Sequence, residues 1–307
     1  MGAYSQEQII IAEGMTGQDL LDFVVENYKP AEVLSWEHAK DTLYSVIDLQ
    51  ENNQLTCVYT GYTITLNTGV DPSTDADSQG INAEHTYPQS MGADNEPMKS
   101  DMHHLFPTKS NVNSSRGNDP FDEVTDSMTD KWYRNDYYIE TIPTEFIDEY
   151  AEKFNPPNQD DERFEPREEQ KGNTARAMFY FYTIYVDVAT ENFWNLQEEQ
   201  LIDWHLYDLP DEIELNRSNM IASYQGNNNP YVIDPSLVGR IFLLDEETIS
   251  GDMNGDSSLD VLDIITDISY IIGSTTLDYS LVIISDVNYD LSLDVLDVVI
   301  LVNTILQ

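Results

Sequence analysis

The sequence predicts an α+β fold, in which a large, mostly helical domain is followed by a small all-α pair of repeated units. Amphipathic segments read mainly as helices between residues 17 and 235, with a few short strands among them. Beyond residue 251, an acidic loop followed by an apolar helix occurs twice. The segment DEETISGD breaks the composition between these two regions, so the predicted domains are residues 1–245 and 246–307.

The elements of the large domain follow from local pattern. Residues 17–49 predict two helices that are split at Lys29-Pro30, and residues 54–67 alternate as a strand does. Residues 83–87 and 101–106 predict short strands around a loop, and Ser110 is expected to cap a helix over 110–115. The polar stretch 122–172 is predicted as a long surface loop. The apolar stretch 174–190 predicts a helix, and two further helices are expected before residue 235.

The charge of the chain is extreme. Fourteen Lys and Arg stand against 57 Asp and Glu, a formal net charge of −43, which favours solubility in a saline or calcium-rich medium. This acidity argues against nonspecific binding of nucleic acid, but ten of the fourteen basic residues lie between Lys99 and Arg176. No run of eighteen apolar residues occurs, so no membrane span is expected. The lone Cys57 excludes an internal disulfide framework and predicts a buried, inert thiol.

Residues 81–121 hold the most chemically informative cluster. The segment contains three of the five histidines, a Glu-His pair and the Asn-rich run NVNSSRGN, a mixture that suits a site rather than a core. Hydrolysis of a phosphodiester needs a base for water, a cation on the phosphate and contacts to the backbone. Glu84 and His85 offer one carboxylate and one imidazole, and Asn113 offers a neutral oxygen ligand from the following helix.

Four ordered motifs resemble the bacterial endonuclease I family of ββα-metal (His-Me finger) nucleases. They are AEHTYPQS, SDMHHLFPTKSNVNSSRGNDPF, GNTARAMFYFY and ASYQGNNNPYV, and the resemblance covers roughly residues 17–235. It implies a nuclease domain built around a ββα-metal finger. It further implies that His85 is the general base and that Glu84 and Asn113 hold Mg²⁺, with Mn²⁺ or Ca²⁺ as substitutes.

The segment after the Glu-His motif departs from the family pattern. Here MGADNEPMK is short and contains no arginine, whereas family members carry a cysteine-bearing insert and a phosphate-binding arginine in this place. The contact to phosphate must therefore come from another basic residue. The candidates are Lys99, Lys109, Arg116 and Arg176.

The C-terminal repeat predicts two calcium sites. Calcium takes six to eight oxygen ligands, and alternate residues of a tight loop can direct theirs inward. The first loop offers Asp252, Asn254, Asp256, Ser258 and Asp263, and the second offers Asp286, Asn288, Asp290, Ser292 and Asp297. The pair resembles dockerin modules, which implies two structural Ca²⁺ ions and a cohesin-like or cell-surface partner. At loop position 6, Ser257 and Leu291 replace the glycine of the EF-hand.

The other polar residues of the motifs are expected to have structural roles. His103 and His104 are expected to alternate on a strand, so that one faces the core and the other is open to line the cleft, with structural roles favoured for both. His38 and His205 are predicted to lie at the surface or in the core. Bracing of the helix and loop is the alternative role for Asn118 and Arg116, and Gln225, Asn227 and Asn229 are expected to fix a turn.

The leading functional hypothesis is a secreted, metal-dependent endonuclease with little sequence preference, which acts on DNA, with RNA left open as an additional substrate. An inactive, calcium-dependent scaffold that docks through the C-terminal repeats is the alternative. A third hypothesis is a metallophosphoesterase of small substrates, although the clustered basic residues favour a polymer. The N-terminal segment MGAYSQEQIIIAEGM has no basic start, so a signal peptide is not expected within this sequence. Secretion or display at the cell surface is expected, in a saline habitat.

Overall fold

The computed structural model describes residues 9–245 and 247–306, which divide into two compact units. One unit is Tyr28–Val232, and the other joins the described residues up to Asn27 to those from Ile233 onward. The predicted boundary after residue 245 falls inside this second unit. The division into a nuclease domain and a repeat module therefore stays a prediction.

The described residues form helices and short strands, as an α+β fold requires. The helices are α1 (Gly17–Tyr28), α2 (Trp36–Thr42), α3 (Pro72–Ser78), α4 (Ser110–Arg116), α5 (Lys171–Ile184), α6 (Glu191–Asn195), α7 (Glu198–Tyr207), α8 (Glu212–Gln225), α9 (Pro230–Ile233), α10 (Leu237–Phe242), α11 (Val261–Ile271), α12 (Tyr279–Ser285) and α13 (Val295–Ile305). The strands are β1 (Gln54–Thr56), β2 (Thr63–Thr65), β3 (Ile81–His85), β4 (Leu105–Lys109), β5 (Lys131–Arg134), β6 (Tyr137–Ile139), β7 (Ala151–Phe154) and β8 (Arg163–Glu165).

Strands β3 and β4 and helix α4 form a continuous β-β-α unit. The strands pair antiparallel with Ile81 opposite Lys109 and His85 opposite Leu105, and α4 follows β4 directly. The predicted helix is confirmed, but Lys109 is its N-cap residue and Ser110 lies within its first turn. The second strand starts later than predicted because the Asp101 carboxylate accepts the backbone N–H of His103 and caps a short 3₁₀ turn there.

The prediction of a surface loop over 122–172 is wrong. Strands β5 to β8 form a four-stranded antiparallel sheet in the order β6-β5-β7-β8. Each strand has only three or four residues, so the alternation of apolar and polar residues is too short to be recognised between the turns. The sheet brings polar side chains into its interior, where Lys153 is buried between the carboxylates of Asp119 and Glu162.

Helix α5 forms the centre of the helical core. Twelve of its fourteen residues are buried, so the helix is surrounded on all sides rather than amphipathic. Its Phe179 ring packs against the side chains of Trp194 and Tyr231. This burial explains why the segment is strongly apolar although it also carries Arg176, whose charge needs a partner inside the core.

In the second unit, the two loop–helix repeats pack on each other through few side chains. Ile264 of α11 packs against Val298 and Leu301 of α13. Residues 234–240 belong to the same unit. There, the buried Arg240 donates to the carbonyls of Ile11, Ala12 and Met15, and its guanidinium lies 4.5 Å from the ring centroid of Tyr289 in the second loop.

Candidate active site

An open cleft in the unit Tyr28–Val232 brings together the three residues predicted for chemistry. Its volume is about 390 Å³, and Glu84, His85 and Asn113 all line it. Strand β3 supplies the first two residues and helix α4 supplies the third. The loop Pro88–Ser90 and the pair Gly117–Asn118 complete the lining. The direct connection from β4 to α4 therefore positions Asn113 beside the end of β3.

The imidazole of His85 is fixed by its surroundings. Its Nε2 lies 2.9 Å from the carbonyl oxygen of Lys99. Because a carbonyl can only accept, Nε2 carries the hydrogen and Nδ1 keeps a lone pair. The ring stacks on Trp36 with centroids 5.1 Å apart and contacts the ring of His104 edge-on. Burial lowers the pKa of His85 to about 3, which keeps the imidazole neutral and able to accept a proton.

The carboxylate of Glu84 lies against two buried donors. Its Oε1 accepts from the Tyr59 hydroxyl at 3.1 Å and lies 3.2 Å from the Arg116 guanidinium. Burial raises the pKa of Glu84 to about 7, and Arg116 and Tyr59 oppose that shift. Burial makes the ionised form of this carboxylate unfavourable, and a cation beside it would stabilise that form.

The Asn113 side chain is oriented by its own amide nitrogen. That nitrogen donates to Asn82 Oδ1 at 2.9 Å and to the carbonyl of Ala83 at 3.1 Å. The amide orientation that these acceptors require leaves Oδ1 as the atom for another contact. With Glu84, the cleft thus offers one carboxylate and one amide oxygen, a donor set that fits a hard divalent cation.

The motifs in this cleft match a known family. A sequence profile described as endonuclease I matches residues 19–236. The chain belongs to the endonuclease I family. Its activity class is therefore that of a nuclease, a hydrolase of phosphodiester bonds, and nucleic acid is its class of substrate.

Two curated relatives support this assignment. The chain is 26% identical to the extracellular ribonuclease of Bacillus subtilis (strain 168) over an aligned stretch of 248 residues. This stretch covers 75% of this chain and 76% of the relative. It is 27% identical over 177 residues to the extracellular ribonuclease of Bacillus amyloliquefaciens, over 52% of this chain and 53% of the relative. Among the described residues, no helix is long and apolar enough to span a membrane.

The structure separates the four predicted phosphate contacts into two pairs. Arg116 and Arg176 are fully buried, and each pairs with a glutamate, at 3.2 Å to Glu84 and 2.5 Å to Glu214. Their guanidinium groups have no exposed face for phosphate, so their role is to hold the interior together. Lys99 and Lys109 are partly exposed, and Lys99 belongs to the loop that contacts His85. These two lysines remain the candidates.

The remaining polar residues of the motifs form a buried network around Asp101. Its carboxylate accepts from the hydroxyls of Tyr180 and Tyr185, each at 2.7 Å, and from the Gln225 amide at 2.8 Å. The network fixes the loop whose Lys99 carbonyl orients His85. His103 and His104 are both buried, and neither belongs to the described residues that line the cleft; His205 is buried as well. Sequence reasoning missed the roles of Asp101, although it lies within the second motif, and of Tyr59, which lies outside the four motifs.

Three glutamates form a metal-like cluster outside the cleft. Among the described residues, Glu123, Glu165 and Glu168 bring carboxylate oxygens within 4.8 Å of one another. The ammonium of Lys171 lies among them, at 2.9 Å from Glu123 and 2.7 Å from each of the other two. The lysine thus supplies the positive charge that a metal would supply.

The two predicted calcium loops have similar backbone hydrogen bonds and the same backbone conformation at position 6. Asp252 and Asp286 each accept N–H groups from their own loop, and Asp263 and Asp297 accept three N–H groups each. Ser257 and Leu291 have φ of 66° and 65°, the left-handed conformation for which the EF-hand uses glycine. Within the described residues, the loop aspartates do not gather into a group as tight as the glutamate cluster.

Proposed function

We propose that the chain is a secreted endonuclease that uses a divalent metal to hydrolyse phosphodiester bonds with little sequence preference. The observation that carries this proposal is that Glu84, His85 and Asn113 meet in one open cleft. The relatives named as extracellular ribonucleases favour secretion and RNA as a substrate, and DNA is retained from the sequence-based expectation.

In the proposed mechanism, His85 Nδ1 takes the proton of the attacking water. The Lys99 carbonyl holds the opposite nitrogen, so the ring presents its lone pair without rotating. Glu84 and Asn113 would hold Mg²⁺, with Mn²⁺ or Ca²⁺ as substitutes, and the ion would supply Lewis-acid stabilisation of charge at the phosphate. Lys99 and Lys109 would contact backbone phosphates, a contact that carries no sequence information.

The cleft favours catalysis over an inactive scaffold. A scaffold has no need for a carboxylate, an imidazole and an amide oxygen that all line one open cleft. The open shape of the cleft favours a polymer over a small phosphoester, because a chain must be able to leave at both ends.

For the C-terminal repeats we propose a dockerin-like module with two structural Ca²⁺ ions. Burial, reinforced by the charges of Asp297 and Asp290, raises the pKa of Asp286 to about 7, and a bound cation would relieve this repulsion. The exposed apolar side chains of α11 and α13 would contact a cohesin-like or cell-surface partner, for example Ile265, Ile268, Val299 and Ile300. A saline, extracellular habitat accounts for the net charge of −43.

Digestion of RNA and plasmid DNA with a chelator tests the proposed function. Purified protein in Mg²⁺ should cut both polymers internally or RNA alone, should stop in EDTA, and should recover when Mg²⁺ is restored in excess. Cleavage that continues unchanged in EDTA would contradict the metal-dependent mechanism. Failure to cut either polymer in Mg²⁺, Mn²⁺ or Ca²⁺ would favour the scaffold alternative.

A further inference from the structure

A second groove adjoins the catalytic cleft in the unit Tyr28–Val232. Its volume is about 730 Å³, within the roughly 300–1,000 Å³ typical of small-molecule sites. Asn118 lines both the groove and the cleft. Met91 lines the groove directly after Gln89 and Ser90, which line the cleft. A nucleic-acid strand whose scissile phosphate lies at His85 would therefore pass beside this groove.

The charges in the groove exclude phosphate as its ligand. Asp119, Asp160 and Glu162 line it, and no Lys or Arg belongs to its described lining. The Arg163 guanidinium donates to the backbone carbonyls of Asp160 and Glu162 and pairs with Asp122, outside the lining. The ammonium of Lys153 is 2.7 Å from Glu162 and also bound to Asp119. Its side chain is 2% exposed, so it fixes these two carboxylates in place and cannot reach a ligand phosphate. The groove thus offers acceptors and repels anions.

The rest of the lining suits a flat, neutral ligand. Apolar surface comes from Met91, Pro120, Phe193 and Leu196, and amide groups come from Asn118, Gln159 and Asn192. A nucleobase has apolar faces and an edge with N–H donors, which carboxylates accept. In a nuclease cleft, the neutral part of the substrate next to the phosphate is a nucleoside.

We propose that this groove binds the base of the nucleotide next to the scissile phosphate and reads the amino groups on its edge. The inference rests on the proposed function and adds a substrate preference to it. A base whose edge contacts Asp160 or Glu162 is not paired with another strand. The enzyme therefore prefers single-stranded segments, and it prefers guanosine at this position over a base with fewer donors.

Short single-stranded RNA oligomers with one altered position test the proposal. Three oligomers carry guanosine, inosine or an abasic residue next to the bond that is cut, and kcat/KM is measured for each. Inosine lacks only the 2-amino group of guanosine. Loss of a hydrogen bond to a carboxylate should lower kcat/KM about tenfold, and loss of the whole base should lower it further.

Two variants connect the preference to the groove. Asp160→Asn should bring the guanosine-to-inosine ratio close to one, and Leu196→Trp, which fills the groove, should lower kcat/KM on guanosine while sparing the abasic oligomer. The matched control for the first variant is Asp161→Asn, an exposed neighbour outside the groove. The control for the second is Ile142→Trp, which is equally exposed but lies elsewhere.

The outcomes separate this inference from the function on which it rests. Equal kcat/KM on the guanosine and abasic oligomers would overturn the inference alone, because cleavage itself would be intact. Equal effects of Asp160→Asn and Asp161→Asn on the guanosine-to-inosine ratio would also overturn it. If the wild-type protein cuts none of the oligomers, the proposed function and the inference both fail.

Discussion

At the scale of residues, burial and contacts with protein groups control the charge and the orientation of the side chains in the candidate cleft. Glu84 is 1% exposed, and Asn113 directs its amide nitrogen away to Asn82 and Ala83. Neither side chain is held in place by solvent contacts. Each side chain is therefore oriented by its protein neighbours to bind the proposed metal ion. Loss of either side chain should change metal binding before it changes the fold.

We predict that Glu84→Gln and Asn113→Ala raise the Mg²⁺ concentration needed for half-maximal activity about tenfold or more. Each change removes one of the two proposed protein ligands from a site that would otherwise rely on water and phosphate. Titration of the cleavage rate with Mg²⁺, together with calorimetry, measures the shift. Asn111→Ala, an exposed residue of the same helix, is the control. Unchanged Mg²⁺ affinity in both variants would show that these residues are not ligands.

The sequence revealed only those residues of the site that carry a side-chain motif. Glu84, His85 and Asn113 stand in recognisable order around the loop, so they could be named in advance. The partner of His85 is the backbone carbonyl of Lys99, and a carbonyl leaves no trace in a sequence. Arg116 was one of four unranked candidates for the phosphate contact, with bracing of the helix and loop as its alternative role, and the fold places it beside Glu84 in the interior.

At the scale of elements, long periodic helices were predictable and the four-stranded sheet was not. The apolar segment of α5 and the helices around it were recognised, with ends displaced by a few residues. The sheet β6-β5-β7-β8 has strands of three or four residues with charged side chains in its interior. Its stability depends on pairing between strands, which the pattern within each short strand does not contain.

The sheet should lose stability as the pH rises. Glu152 on β7 lies opposite Glu165 on β8, and burial, reinforced by the Glu165 charge, raises the pKa of Glu152 to about 8. The folded protein therefore binds more protons than the unfolded chain between about pH 4.5 and pH 8, so the free energy of unfolding falls across that range.

We predict that Glu152→Gln flattens this dependence. The neutral amide can still accept from Thr129, which contacts Glu152 at 2.5 Å, and it has no proton to lose. Urea unfolding at pH 5, 6.5 and 8 should give a smaller decline for the variant than for the wild type. The exposed Glu140→Gln is the control. A variant that declines as steeply as the wild type would show that Glu152 does not cause the slope.

At the scale of the whole molecule, the acidity of the C-terminal repeats is the reason to propose bound Ca²⁺ there. Thirteen acidic residues and no Lys or Arg fall within 241–307, so the repeats repel themselves without a bound cation. The internal repeat in the sequence was enough to identify both loops and their spacing. It could not identify that residues before Asn27 belong to the same compact unit, because that contact joins opposite ends of the chain.

We predict that removal of Ca²⁺ with EGTA in excess Mg²⁺ lowers the melting temperature of the repeat unit and leaves nuclease activity within about twofold. Ion binding stabilises only the folded loops, so the melting temperature should rise with the Ca²⁺ concentration. Asp252→Ala and Asp286→Ala should each remove about one bound ion by calorimetry. A melting temperature that does not respond to millimolar Ca²⁺ would show that the acidic loops are only solvated.

The most direct test of the account is the cleavage rate of His85→Ala under saturating RNA and Mg²⁺. Loss of the general base should lower kcat by about 10²–10⁴-fold, while the melting temperature and the affinity for Mg²⁺ stay near those of the wild type. His38→Ala, which removes an exposed histidine from α2, should keep full activity. If well-folded His85→Ala protein retains more than half of the wild-type rate, His85 is not the base and the proposed mechanism is wrong.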